Sequence, residues 1–208
     1  MKERIRRLTQ KPAALPALCY ILCLAIWLAG SVWGLASDRA ARAKGGLYPF
    51  ELNSQDFELV NLQPQDGGLY TLTDDPQMIW HNPDGRTLRT LRFTADYEDS
   101  AREMCLYYTS APGEPFSQEK RVFASQSSDG ASYLYTLPQG SIAALRLDPC
   151  SSKENQIQVH GIALNEDVPL LHYFAPGWHK AFTMLLLPGL VAAGLGALGQ
   201  LIGRPKKN

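Results

Sequence analysis

Net charge is missing from this chain: 20 Lys and Arg are offset by 20 Asp and Glu across 208 residues. Without a basic face there is nothing to neutralise a phosphate backbone, so nucleic acid is excluded as a partner. A strained serine-nucleophile turn of the G-x-S-x-G kind is absent as well. The four histidines, His81, His160, His172 and His179, have no metal-ligand spacing, and neither metal nor cofactor is expected. Asp96, Glu98, Asp99 and Glu103 cluster, but they read as a solvated loop rather than as two carboxyls facing across a cleft. No N-x-S/T glycosylation acceptor occurs, and no long amphipathic helix is legible between residues 37 and 181. These absences point away from an enzyme.

Two segments lack charge altogether. Residues 13–36 and 182–202 contain no Asp, Glu, Lys or Arg. About 20 apolar residues in a helix cover a hydrocarbon core of roughly 30 Å, so each is expected to be a transmembrane helix. Lys2, Arg4, Arg6, Arg7 and Lys11 precede the first, and Arg204, Lys206 and Lys207 follow the second. Basic flanks stay cytoplasmic, which predicts both termini inside and the middle outside the membrane. Arg39, Arg42 and Lys44 run against that bias, partly offset by Asp38. The basic start, the apolar run and the Gly34-Leu35-Ala36 end also fit a cleavable signal peptide, but the run exceeds the usual ~7–15 residues and favours a retained signal anchor.

The organisation expected is a basic cytoplasmic start (1–12), helix 13–36, a linker (37–50), an ectodomain (51–167), an interfacial linker (168–181), helix 182–202 and a basic tail (203–208). Tyr173, Phe174 and Trp178 suit the wet boundary of a bilayer. Small residues four apart let helix backbones approach in lipid, and Gly30 with Gly34 in the first helix and Gly189, Ala193 and Ala197 in the second are the candidate packing faces. Such spacing also arises by chance, since Gly and Ala are common in membrane helices.

The middle changes period. Short β-branched or aromatic runs at 57–62, 69–72, 77–81, 87–95, 103–109, 121–125, 132–137, 141–148 and 156–164 are separated by turn chemistry such as Asp66-Gly67-Gly68, Pro83-Asp84-Gly85 and Asp129-Gly130. This is the pattern of an all-β sandwich or jelly roll. Leu91, Phe93 and Ala95 share one face of their strand, as do Leu145 and Leu147. In the last strand the apolar phase slips by one residue near Gly161, predicting a β-bulge. Cys105 and Cys150, the two cysteines of this region, would meet an oxidising exterior, and a disulfide between them and two free buried thiols are equal alternatives.

The run Leu145-Arg146-Leu147-Asp148-Pro149, a short polar loop and then Ile157 to Leu164 resembles the closing strands of carbohydrate-binding-module-like jelly rolls. Asp75-Pro76-Gln77, Leu106-Tyr107-Tyr108 and Phe116-Ser117 fit the same likeness. Such domains occur in bacterial membrane proteins of surface-polysaccharide and glycosyltransferase systems. The resemblance implies a non-catalytic subunit that presents its module to glycan or to a partner glycosyltransferase or polymerase. An aromatic ring under a pyranose and planar polar groups on its hydroxyls make a sugar site. Trp80, Tyr107, Tyr133 and Tyr135 are the candidate rings; His81, Arg146, Gln158 and His160 are the candidate polar partners, the last three expected as neighbours on one non-core face. The other reading of these residues is structural: core or edge packing for the rings and a local Arg146–Asp148 pair. A protein-binding assembly or signalling subunit, or a homo-oligomer built on the small-residue faces, is the alternative to glycan binding.

Overall fold

The computed structural model describes residues 13–65, 67–126 and 130–202, without the side chains of Gln126, His179 and residues 199–202. The basic termini, Asp66, Ser127 and Asp129 therefore lie outside the described residues, as does the side chain of Gln200. The chain forms two compact units, Asp38–Asp167 and a helical unit made of Met1–Ser37 with Val168–Asn208.

The first unit is a β-sandwich. Its strands are β1 (Phe50–Leu52), β2 (Glu58–Val60), β3 (Leu62–Gln65), β4 (Gly68–Thr71), β5 (Gln77–His81), β6 (Thr90–Tyr97), β7 (Cys105–Thr109), β8 (Arg121–Phe123), β9 (Ser125–Gln126), β10 (Ser132–Thr136), β11 (Ala144–Asp148) and β12 (Gln156–Leu164). One sheet has seven strands in the order β3-β4-β12-β6-β10-β9, with β1 also pairing β12; the other has five, β2-β5-β11-β7-β8. Every pairing is antiparallel.

Alternation decides what is buried. Leu91, Phe93 and Ala95 of β6 and Leu145 and Leu147 of β11 point between the sheets and join one core with Ile157, Ile162, Leu106 and Met78. Each fully buried aliphatic side chain contributes roughly 1.5–3 kcal/mol. The register of β12 against β6 jumps from Val159–Ala95 to Gly161–Thr94, leaving His160 as the extra residue of the expected bulge. The hairpin glycine Gly67 has φ of 81°, which a side chain would resist.

Three buried asparagines tie the loops to this frame. The Asn165 amide donates to the Thr87 carbonyl at 2.7 Å while its oxygen accepts from the Arg89 N–H at 2.8 Å. Asn155 donates to Ser152 Oγ and the Ser100 carbonyl, and Asn82 to the carbonyls of Ile142 and Arg86. The start of the unit is tied down twice: Asp38 accepts from Arg89 at 2.8 Å, and Arg42 reaches the unit's other end, donating to the carbonyls of Asn165 and Glu166 and pairing with the Asp167 carboxylate.

The helical unit corrects two expectations. Helix α1 runs Ala14–Ala43, beyond the expected end at residue 36 and through the first half of the expected linker, because Asp38 and Arg42 gain partners in the sandwich unit. A short helix α2 (Leu171–Phe174) precedes α3 (Trp178–Ile202). Both α1 and α3 are long and apolar enough to cross a membrane by length and composition. Where they pair, Tyr20 Oη donates to the Leu185 carbonyl at 2.7 Å, and the space over Gly189 holds that hydroxyl. The covered face of α3 carries Pro188 and Ala192, whereas Ala193 and Ala197 are exposed, one position round from the expected stripe. Gly30 faces open space and Gly34 is half-buried.

Candidate functional site

Of the candidate ligand residues, Tyr135 is fully buried in the core and Tyr133, on the same strand β10, is half-buried against it; the other six fall into three places. Trp80 points inward from β5 and is part of the core, 7% exposed, with the Phe50 ring centroid 6.2 Å away. His81, next along the strand, is exposed. Arg146 and Tyr107 are directly opposite each other on β11 and β7, on the outer face of the five-stranded sheet. Gln158 and His160 are on β12, in the seven-stranded sheet. The expectation that Arg146 neighbours Gln158 and His160 fails for this reason: the polar loop between β11 and β12 carries the chain from one sheet to the other.

Around Arg146 every group is already engaged. Its guanidinium donates to both Asp148 oxygens at 2.7 and 2.8 Å and to Asp75 at 3.0 Å, and lies 5.0 Å from the Tyr107 ring centroid. Gln118 donates to the Tyr107 hydroxyl, and Gln77 to Asp75. A bidentate Arg–carboxylate pair stacked on a ring fixes a strand surface; it leaves few donors for a ligand. This is the structural reading of the Arg146–Asp148 pair.

Cys105 and Cys150 are free thiols, both buried. Cys105 is on the strand face that carries Tyr107 and donates to Asp148, while Cys150 sits in the core and donates to the Ser152 carbonyl. Burial pushes the Cys105 thiol up to about 11. A thiol protonated at neutral pH is a poor nucleophile.

On the outer face of the seven-stranded sheet, the bulge turns His160 toward Asp96, and their side chains meet at 2.8 Å. Both are well exposed. Among the described residues no group of three His, Cys, Asp or Glu is arranged to hold a metal ion.

A concave site opens elsewhere, at the side of the sandwich where the chain crosses from β2 to β3 through Asn61, held at φ 58°. The cleft has a volume of 410 Å3. Its floor is Phe57, Leu59, Leu69 and Val159, contributed by both sheets, and its rim carries Ser54, Gln55 and Gln65. Ser54 and Gln55 belong to a 3-10 turn, Ser54–Asp56, whose start is capped by the Asp56 carboxylate accepting from the Asn53 N–H at 2.7 Å. Gln65 is fixed opposite Gly68 by the β3–β4 hairpin. Among the described residues the side chains of Ser54, Gln55 and Gln65 have no hydrogen-bond partner, and none of the described lining residues is charged. The volume lies within the usual range for small-molecule pockets, ~300–1,000 Å3. Sequence reading missed this site because its groups come from a 3-10 turn, a hairpin and β12, none of which carries a motif.

No protein-family model matches the chain, and no curated protein matches it. Among solved structures, it is similar to CBM86, a low-affinity xylan-binding module from Roseburia intestinalis, with a TM-score of 0.40 and 11% identity over 56% of this chain and 94% of that one. It is also similar to a β-1,3-glucan-binding CBM6 from Bacillus halodurans (TM-score 0.36, 10% identity, 58% and 97% covered). A third is CsCBM6-3 from Clostridium stercorarium, solved with cellobiose (TM-score 0.32, 5% identity, 59% and 95% covered). Each of the three is a carbohydrate-binding module.

Proposed function

We propose that this chain is a non-catalytic, two-pass subunit of the bacterial cytoplasmic membrane that presents its sandwich outside and binds a neutral glycan there, serving a partner glycosyltransferase or polymerase in surface-polysaccharide or glycolipid assembly. The observation that carries this reading is the cleft: an apolar floor edged by two free primary amides and a hydroxyl, with no charge among its described lining residues. The C–H face of a sugar ring suits the exposed Pro64 above the apolar floor, and each amide can both donate to and accept from vicinal hydroxyls. The absence of charge in that lining favours a neutral sugar over an acidic one. Two helices of spanning length and composition support the membrane setting.

The reading is tested with the full chain in nanodiscs on an array of envelope glycans. Binding of a neutral oligosaccharide is expected, weakened about thirtyfold in Gln55→Ala/Gln65→Ala if each lost bond is worth ~1 kcal/mol, with no change in melting temperature. Wild-type affinity in the double variant, or no binding to any envelope glycan, would sink it.

A protein-binding assembly role is the second reading. It rests on the exposed small-residue face of Ala193 and Ala197, which the pairing of α1 with α3 leaves open.

A further inference from the structure

Within the helical unit, α1 and α3 leave a groove of 270 Å3 between Trp27 on one helix and Lys180, Thr183 and Met184 on the other. Its walls are the indole and the thioether chain, and its one charged lining group is the Lys180 ammonium. No counter-ion for that ammonium exists nearby in the sequence: residues 13–37 and 168–202 contain no Asp or Glu. Lys180 also stands at the boundary of the apolar run, at the start of the spanning window Lys180–Leu198. The groove is kept in register by the Tyr20–Leu185 hydrogen bond, five residues further along α3.

An apolar groove open along paired helices of spanning length, with one cation at its end and no carboxylate among the described residues of its own unit, is complementary to an amphiphile of opposite charge. We propose that it binds an anionic phospholipid, with the lipid phosphate on Lys180 Nζ and an acyl chain along Trp27 and Met184. This rests on the membrane reading above and is independent of the glycan cleft. A lysine at this depth extends its methylenes along the apolar wall and its ammonium toward the headgroups, so phosphate contact costs no burial of charge.

The test uses the full chain reconstituted in phosphatidylcholine vesicles containing equal mole fractions of either brominated phosphatidylglycerol or brominated phosphatidylcholine, with tryptophan fluorescence as readout. One lysine near an anionic headgroup is worth about a fivefold preference, so brominated phosphatidylglycerol should quench at correspondingly lower mole fraction. Lys180→Gln should make the two lipids equivalent, Trp27→Phe should remove the selective component, and excess inorganic phosphate should not reverse the quenching. Equal quenching by both lipids in the wild type, selectivity that survives Lys180→Gln or Trp27→Phe, or reversal by free phosphate would overturn the site. Flotation with the vesicles after carbonate washing separates the two levels. A chain that floats but shows no lipid preference refutes only the groove, whereas a chain that fails to float refutes the membrane reading and the groove with it.

Discussion

Two tyrosines deep in the sandwich have opposite standing. Tyr97 donates its hydroxyl to the Pro149 carbonyl at 2.7 Å, and so joins the end of β6 to the loop after β11. Tyr135 is fully buried, and its hydroxyl has no protein partner among the described residues. A satisfied buried hydroxyl is worth ~1 kcal/mol, whereas an unpartnered one carries a desolvation cost and no compensating bond. Tyr97→Phe should therefore lower stability by about 1 kcal/mol, while Tyr135→Phe should be neutral or stabilising. Thermal melts of the full chain in detergent, followed by near-ultraviolet circular dichroism, check both. A loss in Tyr135→Phe equal to that in Tyr97→Phe would show that the Tyr135 hydroxyl is bonded after all. The buried asparagines belong to the same scale: Asn155 and Asn165 each spend their amides on loop backbone, and no sequence pattern marks them, since asparagine in a turn reads only as a turn former.

Elements were legible where periodicity is strong. Strands β5 and β12 match the expected ranges 77–81 and 156–164 at both ends, and the bulge at Gly161 follows from the slip in apolar phase. The three-residue β1 escaped because its pattern is too short to stand out from Tyr48-Pro49 before it. Sheet membership escaped too, since alternation says which side chains share a face but not which sheet owns the strand. That is why Arg146 and His160 seemed to be neighbours, and why a cleft assembled from a 3-10 turn, a hairpin and β12 had no sequence signature. The hairpin itself depends on close approach: a Cβ on Gly68 would overlap the Ile157 carbonyl oxygen, a backbone atom that cannot rotate away. Gly68→Ala should cost about 2 kcal/mol by forcing β4 away from β12. It should also widen the cleft beside it, so weakened glycan binding should accompany a lowered melting temperature. An unchanged melting temperature would show that the β4–β12 edge yields freely.

For the molecule as a whole, carboxylates are divided sharply between the units. The described residues of the helical unit, 13–37 and 168–202, carry none, while the sandwich unit buries several weak acids in neutral form. Burial raises the pKa values of Cys105, Cys150, Tyr97, Tyr107 and Tyr135, because each would lose hydration on becoming an anion inside the fold. In the unfolded chain a thiol releases its proton near 9.0, whereas folded Cys105 holds it to about 11. Between those values the unfolded state binds fewer protons than the native state, so unfolding free energy falls as pH rises. The full stabilisation is present below about pH 9, and the Cys105 share, on the order of 2 kcal/mol, is lost by about pH 11, with the tyrosines extending the loss upward. The melting temperature of the full chain in detergent should thus decline from about pH 9, and Cys105→Ala should decline less steeply between about 9 and 11 than the wild type. A wild-type melting temperature that stays level across that window would mean that the buried thiol and phenols ionise without unfolding the sandwich.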